Sequence, residues 1–302
     1  VDDWSVKDLR IGIAMSRERP NWPVRRLIRA LEAASCEVQT FCMKNLSLHM
    51  DSREMQFLLP RRRPLDVNGV IIRSIGGGST DQITSRISML EALEFSDIRV
   101  FNRTYSHRRA KDKLATLVWL AHRGVPVPPT TVTERLAVAV AATKRYQDIV
   151  SKPLRGSQGQ GIFRLQDPDL AFRIFKILQT ANQTMFIQKF IEIPGRDIRV
   201  FVVGSRVIGA MYRYAKRGEW KTNVSRGAKP IQCPVSSELE TLALKAAEAM
   251  EMDFAGIDIL EANDRLVVSE VNAAPNWSGL QKATGVDAAE EIVSYILQEL
   301  KG

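Results

Sequence analysis

The chain has 302 residues, 45% of them hydrophobic and 25% charged, with a formal net charge of +9. Those totals describe a soluble globular protein of two or three lobes. No apolar run approaches a membrane span, and Val1-Asp2-Asp3-Trp4-Ser5 carries no signal-peptide pattern.

Cys36, Cys42 and Cys233 have no Cys-x-x-Cys spacing, which fits reduced thiols in a cytoplasmic protein, and His49, His107 and His122 are too scattered for a zinc site. The basic excess gathers in Arg61-Arg62-Arg63 and in Arg103, Arg108, Arg109, Lys111 and Lys113. These clusters lack interleaved aromatics and any helix-turn-helix, RRM or zinc-finger pattern, so an anionic small substrate explains them better than nucleic acid.

Along the chain, Ile11–Met15 is an apolar strand and Val24–Ala34 has helical spacing through Val24, Leu27, Ile28 and Leu31. Strands follow over Glu37–Cys42 and Gly69–Arg73, with Leu46–Leu65 between them an irregular surface insertion. After Ser74-Ile75-Gly76-Gly77-Gly78-Ser79-Thr80, a helix over Asp81–Phe95 and a strand over Ile98–Asn102 complete a doubly wound α/β lobe. A helix over Ser106–Arg123 is stopped by Gly124-Val125-Pro126. The second lobe holds strands at Asp148–Pro153, Gly161–Leu165 and Met185–Ile191, and a helix at Asp169–Ala181. The third begins near Asp197 with strands Ile198–Val203 and Arg206–Tyr214. It continues with a helix whose capping box is Ser237 and Glu240, and ends in a hairpin and a helix over Ala288–Leu300. The expected domains are 1–105, 106–188 and 189–302.

The hairpin is the most informative stretch. Side chains alternate along a strand, so Glu270 and Asn272 share a face, roughly 7 Å apart. Asp258 joins them if it pairs opposite Glu270, which closes a three-residue loop at Asn263-Asp264-Arg265. Two carboxylates and an amide suit Mg²⁺ held jointly with phosphates; the alternative is the solvated polar face of an edge hairpin. Lys152 and the loop Gly156-Ser157-Gln158-Gly159-Gln160-Gly161 form neither a dinucleotide fingerprint nor a Walker loop. The loop's backbone N–H groups can cradle phosphates as a lid, or form a hairpin turn beside a surface lysine. Arg213, Lys221, Asn223 and Arg226 cluster as donors suited to phosphate and carboxylate, or as a solvated basic loop.

In this order, Asp112-Lys113-Leu114, Ser151-Lys152-Pro153-Leu154 with the glycine loop, Asp197-Ile198-Arg199-Val200, Lys221-Thr222-Asn223, Ala255-Gly256-Ile257-Asp258, Glu270-Val271-Asn272-Ala273 and Ala283-Thr284-Gly285-Val286-Asp287 resemble the ATP-grasp superfamily, nearest its RimK-like glutamate ligases. The resemblance implies an N-terminal α/β lobe before two α+β lobes that sandwich ATP. It implies that Lys113, Lys152, Gly156, Ser157, Gln158, Gly159 and Gly161 lie at the phosphates. Gln188, Lys189 and Phe190 would form the adenine hinge, and Asp197, Lys221 and Asn223 would border the nucleotide. Asp258, Glu270 and Asn272 would hold two Mg²⁺ ions, with Mn²⁺ as a substitute. Arg199, Arg213 and Arg226 would bind the acyl phosphate or incoming carboxylate.

Lys189 stands where such enzymes commonly carry an acidic residue, and Asn223-Val224-Ser225-Arg226-Gly227-Ala228 departs from their Asn-x-His-Arg-Gly-Gly pattern. The implied reaction is ATP-dependent ligation of an amino acid, L-glutamate, to a small anionic acceptor such as a tetrahydromethanopterin-like pterin, in a protein that self-associates. The C-terminus of a ribosomal protein is the alternative acceptor. A kinase and a non-catalytic nucleotide-binding module are the other readings of the same scaffold.

Overall fold

Short aliphatic runs separated by capped helices build the first sheet. The computed structural model describes residues 9–154, 161–216, 218–220, 222, 227–262 and 265–301. Strands β1 (Arg10–Met15), β2 (Glu37–Cys42), β6 (Gly69–Ile72) and β7 (Arg99–Phe101) pair in parallel in the order β2-β1-β6-β7. Helix α1 (Trp22–Ala33) is capped by Asn21, which accepts from Val24 N. Helix α2 (Thr80–Phe95) starts with a reciprocal box between Ser79 and Gln82.

The stretch expected to be an irregular insertion is instead an antiparallel sheet of β3 (Ser47–Met50), β4 (Met55–Leu59) and β5 (Arg63–Pro64). Phe57 and Leu59 alternate inward and join Leu46, Leu65, Phe41 and Val70 in one apolar cluster. That burial outweighs the local arginine and proline content. The single helix expected over residues 106–123 is two, α3 (Thr104–Lys111) and α4 (Lys113–His122). Asp112 between them is extended, and its carboxylate accepts from the backbone N–H groups of Leu114 (2.8 Å) and Ala115 (3.1 Å). An N-cap therefore interrupts the helix and restarts it.

Strand β8 (Thr130–Thr133) and helix α5 (Leu136–Tyr146) were not foreseen. With β9 (Ile149–Ser151), β10 (Phe163–Leu165) and β11 (Met185–Lys189), β8 makes an antiparallel sheet ordered β10-β9-β11-β8. Ala139, Ala142, Ala171 and Phe175 of α5 and α6 (Pro168–Thr180) bury its apolar face. The last sheet is β14-β13-β12-β15-β16, from β12 (Arg196–Val203), β13 (Arg206–Tyr214), β14 (Lys229–Gln232), β15 (Phe254–Ala262) and β16 (Arg265–Asn272). The cap of α7 (Ser237–Ala249) is Ser236, whose Oγ accepts from Leu239 N at 3.2 Å, so the box expected from Ser237 and Glu240 does not form. Helices α8 (Ser278–Thr284) and α9 (Ala288–Lys301) close the chain.

The parity of β12 divides the core. Ile198, Val200 and Val202 pack with Leu239, Ala243 and Ala246 of α7, and Leu120 and Val125 join them. Phe201 and Val203 enter a second cluster with Ile11, Ile13, Leu27 and Phe101 of the first sheet and with Trp277 and Ile292. The N-terminal lobe and the five-stranded sheet thus share a core, while the β8–β11 sheet keeps its own. Buried Asn102 pins the junction: its Nδ2 donates to the carbonyls of Phe254 and Ala273 (both 2.8 Å), and its Oδ1 accepts from Phe254 N (3.0 Å). No described helix is long and apolar enough to cross a membrane.

Candidate active site

On the face of β12 that carries Phe201 and Val203, the preceding inward positions are Asp197 and Arg199. Arg199 lies opposite Asp258 on β15, and Asp258 opposite Glu270 on β16. Asp197 lies opposite Arg213 on β13. Period-two alternation therefore lays Arg199, Asp258 and Glu270 in one row across three adjacent strands, beside the Asp197–Arg213 pair.

The row is ion-paired. Arg199 binds Asp258 in a two-pronged contact through Nε and Nη2, the latter at 2.6 Å. Arg213 does the same to Asp197, with Nε–Oδ1 at 2.7 Å, and its Nη2 also reaches Asp258 Oδ2 at 3.1 Å. Thr222 adds a hydroxyl hydrogen bond to Asp197. Burial alone would raise the Asp258 carboxyl, but Arg199 and Arg213 together hold it below the ordinary range. Burial prevails at Asp197, where a single arginine leaves the carboxyl pushed up. The Arg213 guanidinium, opposed by burial, is raised by Asp258 and Asp197.

Glu270 pairs opposite Asp258 as the residue spacing requires, but Ser269 interrupts the ladder. The register shifts between Asp258 and Ile259, leaving Ser269 extra on β16, and Ala262 pairs with Arg265. Arg265 thus belongs to the strand rather than to the expected three-residue loop, because the bulge absorbs one residue; Asn263 and Asp264 lie outside the described residues. Ser269 Oγ donates to Asp258 O at 3.2 Å. Asn272 Nδ2 donates to Gly256 O at 3.2 Å, which fixes the orientation of its amide oxygen. Gly256 is required there: a Cβ would lie 2.9 Å from Pro275 Cβ and 3.1 Å from Arg199 Cδ.

Among the described residues, Glu270 receives no hydrogen bond, and no three His, Cys, Asp or Glu side chains cluster as a metal site. The donor set is one unengaged carboxylate, one arginine-bound carboxylate and one amide oxygen. Hard oxygen donors with an unsatisfied charge fit a cation such as Mg²⁺ completed by substrate oxygens.

Lysines face this row. Lys152 follows β9, donates from Nζ to Gln188 Oε1 at 2.8 Å, and feels the charges of Glu270, Lys113 and Asp258. Burial pushes its ammonium down to about 8. Lys113, at the start of α4, is also lowered by burial, with Glu270 opposing. Its backbone N–H donates to Leu154 O at 3.2 Å, tying α4 to the segment that leads into the glycine loop.

Gln188 is buried and donates to Thr130 Oγ1 at 3.0 Å. Lys189 is exposed, with its backbone N–H on Pro129 O. Phe190 lies beneath the Arg164 guanidinium, 3.7 Å from the ring centroid, and edge-on to Trp220 at 5.9 Å. Gly161 has φ +67°, and a Cβ there would be 3.5 Å from the Pro153 ring. Gly156, Ser157, Gln158, Gly159, Lys221, Asn223 and Arg226 lie outside the described residues. The structure thus brings together Lys113, Lys152, Gln188, Asp197, Arg199, Arg213, Asp258, Glu270 and Asn272.

Several participants were not foreseen. Thr222 and Thr130 hold Asp197 and Gln188. Lys111 and Arg73 add charge beside Glu270 and Lys113. Thr222 lies inside the Lys221-Thr222-Asn223 motif, whereas no local pattern singles out Arg73.

Residues 110–296 match the RimK-like ATP-grasp domain. The tetrahydromethanopterin:alpha-L-glutamate ligase of Methanosarcina acetivorans is 31% identical over 319 residues, spanning 95% of this chain and 98% of that protein. The enzyme of the same name from Methanococcus maripaludis is 33% identical over 299 residues, spanning 97% and 99%. Among solved structures, the ATP-grasp ligase PsnB complexed with minimal precursor, Mg and ADP aligns with a TM-score of 0.74 at 18% identity, over 99% of each chain. At that identity the likeness is one of fold.

Proposed function

The chain belongs to the RimK-like ATP-grasp family, and from that premise we propose that it joins L-glutamate to a carboxylate of a tetrahydromethanopterin-type acceptor. It is an ATP-dependent, ADP-forming ligase, and ATP and Mg²⁺ come with the family. The observation that carries the choice of substrates is the end-to-end likeness to two ligases of that name.

The acceptor carboxylate attacks the γ-phosphorus of ATP, and ADP leaves. The resulting acyl phosphate has phosphate rather than oxide as its leaving group. The glutamate amine then attacks the acyl carbon, loses a proton and expels phosphate, forming the amide. Bound Mg²⁺ supplies charge neutralisation at the phosphates. Glu270 and Asn272 would hold it, and Asp258, whose two oxygens already take Arg199 and Arg213, would join through a remaining lone pair. Two ions, replaceable by Mn²⁺, suit this all-oxygen set.

Lys152 and Lys113 neutralise phosphate oxygens, Lys152 oriented by Gln188. Arg199 spends Nε and one edge on Asp258, leaving further N–H groups for an acyl-phosphate oxygen. Arg213 is 4% exposed and divided between two carboxylates, so it acts as a positioning residue. Phe190 and the backbone around Gln188 and Lys189 border adenine. By their motif order, Gly156–Gly161, Lys221, Asn223 and Arg226 would contact the nucleotide.

Incubation with ATP, Mg²⁺, L-glutamate and tetrahydromethanopterin tests this. ADP release that needs both acceptor and amine, with a mass gain of glutamyl on the acceptor, is expected. Release with acceptor alone and a stable phosphorylated product would mean a kinase, and no release would refute the choice of substrates.

A further inference from the structure

Two cations border the proposed reaction centre without a counter-ion among the described residues. Arg73 directly follows β6. Its Nη2 donates to the carbonyls of Ala274 (3.3 Å) and Pro275 (2.7 Å), and its guanidinium lies 5.2 Å from the Trp277 ring centroid. Nε and Nη1 are buried and find no acceptor among the described residues, and no described carboxylate pairs with the group. Burial pushes it down to about 10.

Lys111 ends α3. Its side chain is exposed and makes neither a hydrogen bond nor an ion pair with any described residue. Packing around its ammonium is the largest influence and lowers it, Arg73 and Lys113 lower it further, and Glu270 opposes them; α3 itself packs against β16, the strand that carries Glu270. His107, one turn earlier on α3, is fully buried and pushed down to about 3, so it stays neutral and adds no charge.

The charges of the site then leave a surplus. Asp258 and Asp197 are matched by Arg199 and Arg213. Glu270 is the remaining carboxylate, and Lys113 and Lys152 are engaged with the nucleotide in the reading above. Lys111 and Arg73 exceed what ATP neutralisation uses. Arg73 is desolvated without a described counter-charge, and holding it beside Lys111 costs free energy that an arriving anion recovers.

We propose that Lys111, exposed in the cleft and backed by the fixed charge of Arg73, binds a substrate carboxylate that is not phosphorylated, at a subsite separate from the ATP phosphates. Lys111 makes the contact. Arg73, whose free nitrogens are covered, acts through its field and anchors the wall by gripping Ala274 and Pro275. The rim is the glycine loop after Arg73, held where Arg86 Nη1 donates to the carbonyls of Ile75 (3.0 Å) and Gly77 (2.8 Å). Gly76 has φ +79°, and a Cβ there would sit 3.1 Å from Arg86 Nη1. The carboxylate comes either from the incoming glutamate or from the acceptor's own second anionic group.

This subsite rests on the ligase reading. Its test is steady-state kinetics of Lys111→Gln and Lys111→Arg with ATP, L-glutamate and tetrahydromethanopterin varied in turn. Loss of a charge-assisted contact raises KM for the bound carboxylate substrate about ten- to hundredfold in Lys111→Gln. The KM for ATP stays within about twofold, and Lys111→Arg recovers most of the loss. A rise confined to glutamate assigns the subsite to the donor; a rise for tetrahydromethanopterin assigns it to the acceptor. An ATP constant that rises as much as either, or three unchanged constants, overturns the subsite while ligation itself persists. Failure of the unsubstituted enzyme to ligate would instead overturn the parent reading.

Discussion

Arg213→Met should be the most destabilising single change among the charged residues of the site. The guanidinium is 4% exposed, makes two hydrogen bonds to Asp197 and one to Asp258, and would be replaced by an apolar chain of similar reach. Asp258 would keep Arg199, whereas Asp197 would keep only the Thr222 hydroxyl. Stranding one member of a buried pair costs about 3–5 kcal/mol. For a chain of this size that is a fall in Tm on the order of 10 °C. Arg199→Met, which leaves Asp258 with Arg213, should cost about 1–3 kcal/mol.

The double variant Arg213→Met/Asp197→Leu removes both charges and should regain most of the stability. The deficit also has a pH sign. A carboxyl raised above its unfolded value holds a proton in the folded state that the unfolded chain has released, so its contribution to stability is lost as pH rises. The Arg213→Met deficit should therefore shrink between pH 7 and pH 5. Thermal melts and urea titrations of the three variants at both pH values measure all of this. A double variant that melts no higher than Arg213→Met would refute the claim that stranded charge, rather than lost packing, sets the cost.

Three further outcomes follow from the geometry. Glu270→Gln removes the one carboxylate of the row that has no protein partner, so turnover should fall by orders of magnitude while the melting temperature stays within a few degrees; near-normal ligation would disprove its metal role. Lys152 titrates near 8, so kcat/KM for ATP should decline above that pH, about tenfold per unit, with Lys152→Arg moving the decline upward; a flat profile from pH 7 to 10 would contradict its phosphate contact. Because that value is depressed from 10.5, the unfolded chain keeps its proton longer, and the same group adds stability to the free protein as pH rises from about 8 to 10.5. Asn102→Ala leaves one N–H and two carbonyl bonds of a buried junction unmade, which should cost about 3 kcal/mol or more in urea unfolding; a loss under 1 kcal/mol would show that the junction reorganises.

What could be read from residue order was mostly what two-residue alternation controls. The opposition of Asp258 to Glu270, and the shared face of Glu270 and Asn272, follow from strand parity and were legible before any coordinates. The Ser269 bulge was not, because nothing in Val268-Ser269-Glu270 distinguishes an extra residue from a paired one. Asp112 breaks a helix that apolar spacing alone runs straight through; an aspartate followed by Lys-Leu-Ala carries the cap signal, which periodicity does not register. Thr130–Thr133, β-branched and just after prolines, was a detectable strand. Helix α5 begins after Arg135, which makes no side-chain cap, so its start had no mark. The side chains of Asn102 and Arg73 make their hydrogen bonds to partners more than a hundred residues away, a relation no local pattern encodes.

The common core beneath the first sheet and β12 constrains how acceptor choice can change. Phe201, Trp277 and Ile292 interlock with Ile11, Leu27 and Phe101, so the N-terminal α/β unit is not a detachable cassette. A chimera carrying a relative's first hundred residues would meet the wrong counterpart surface unless α9 and the Trp277 segment travelled with it. Divergence toward new acceptors therefore has its freest ground in rim positions such as Lys111 and the loop around Gly76–Gly78, where side chains can vary without disturbing that interlock.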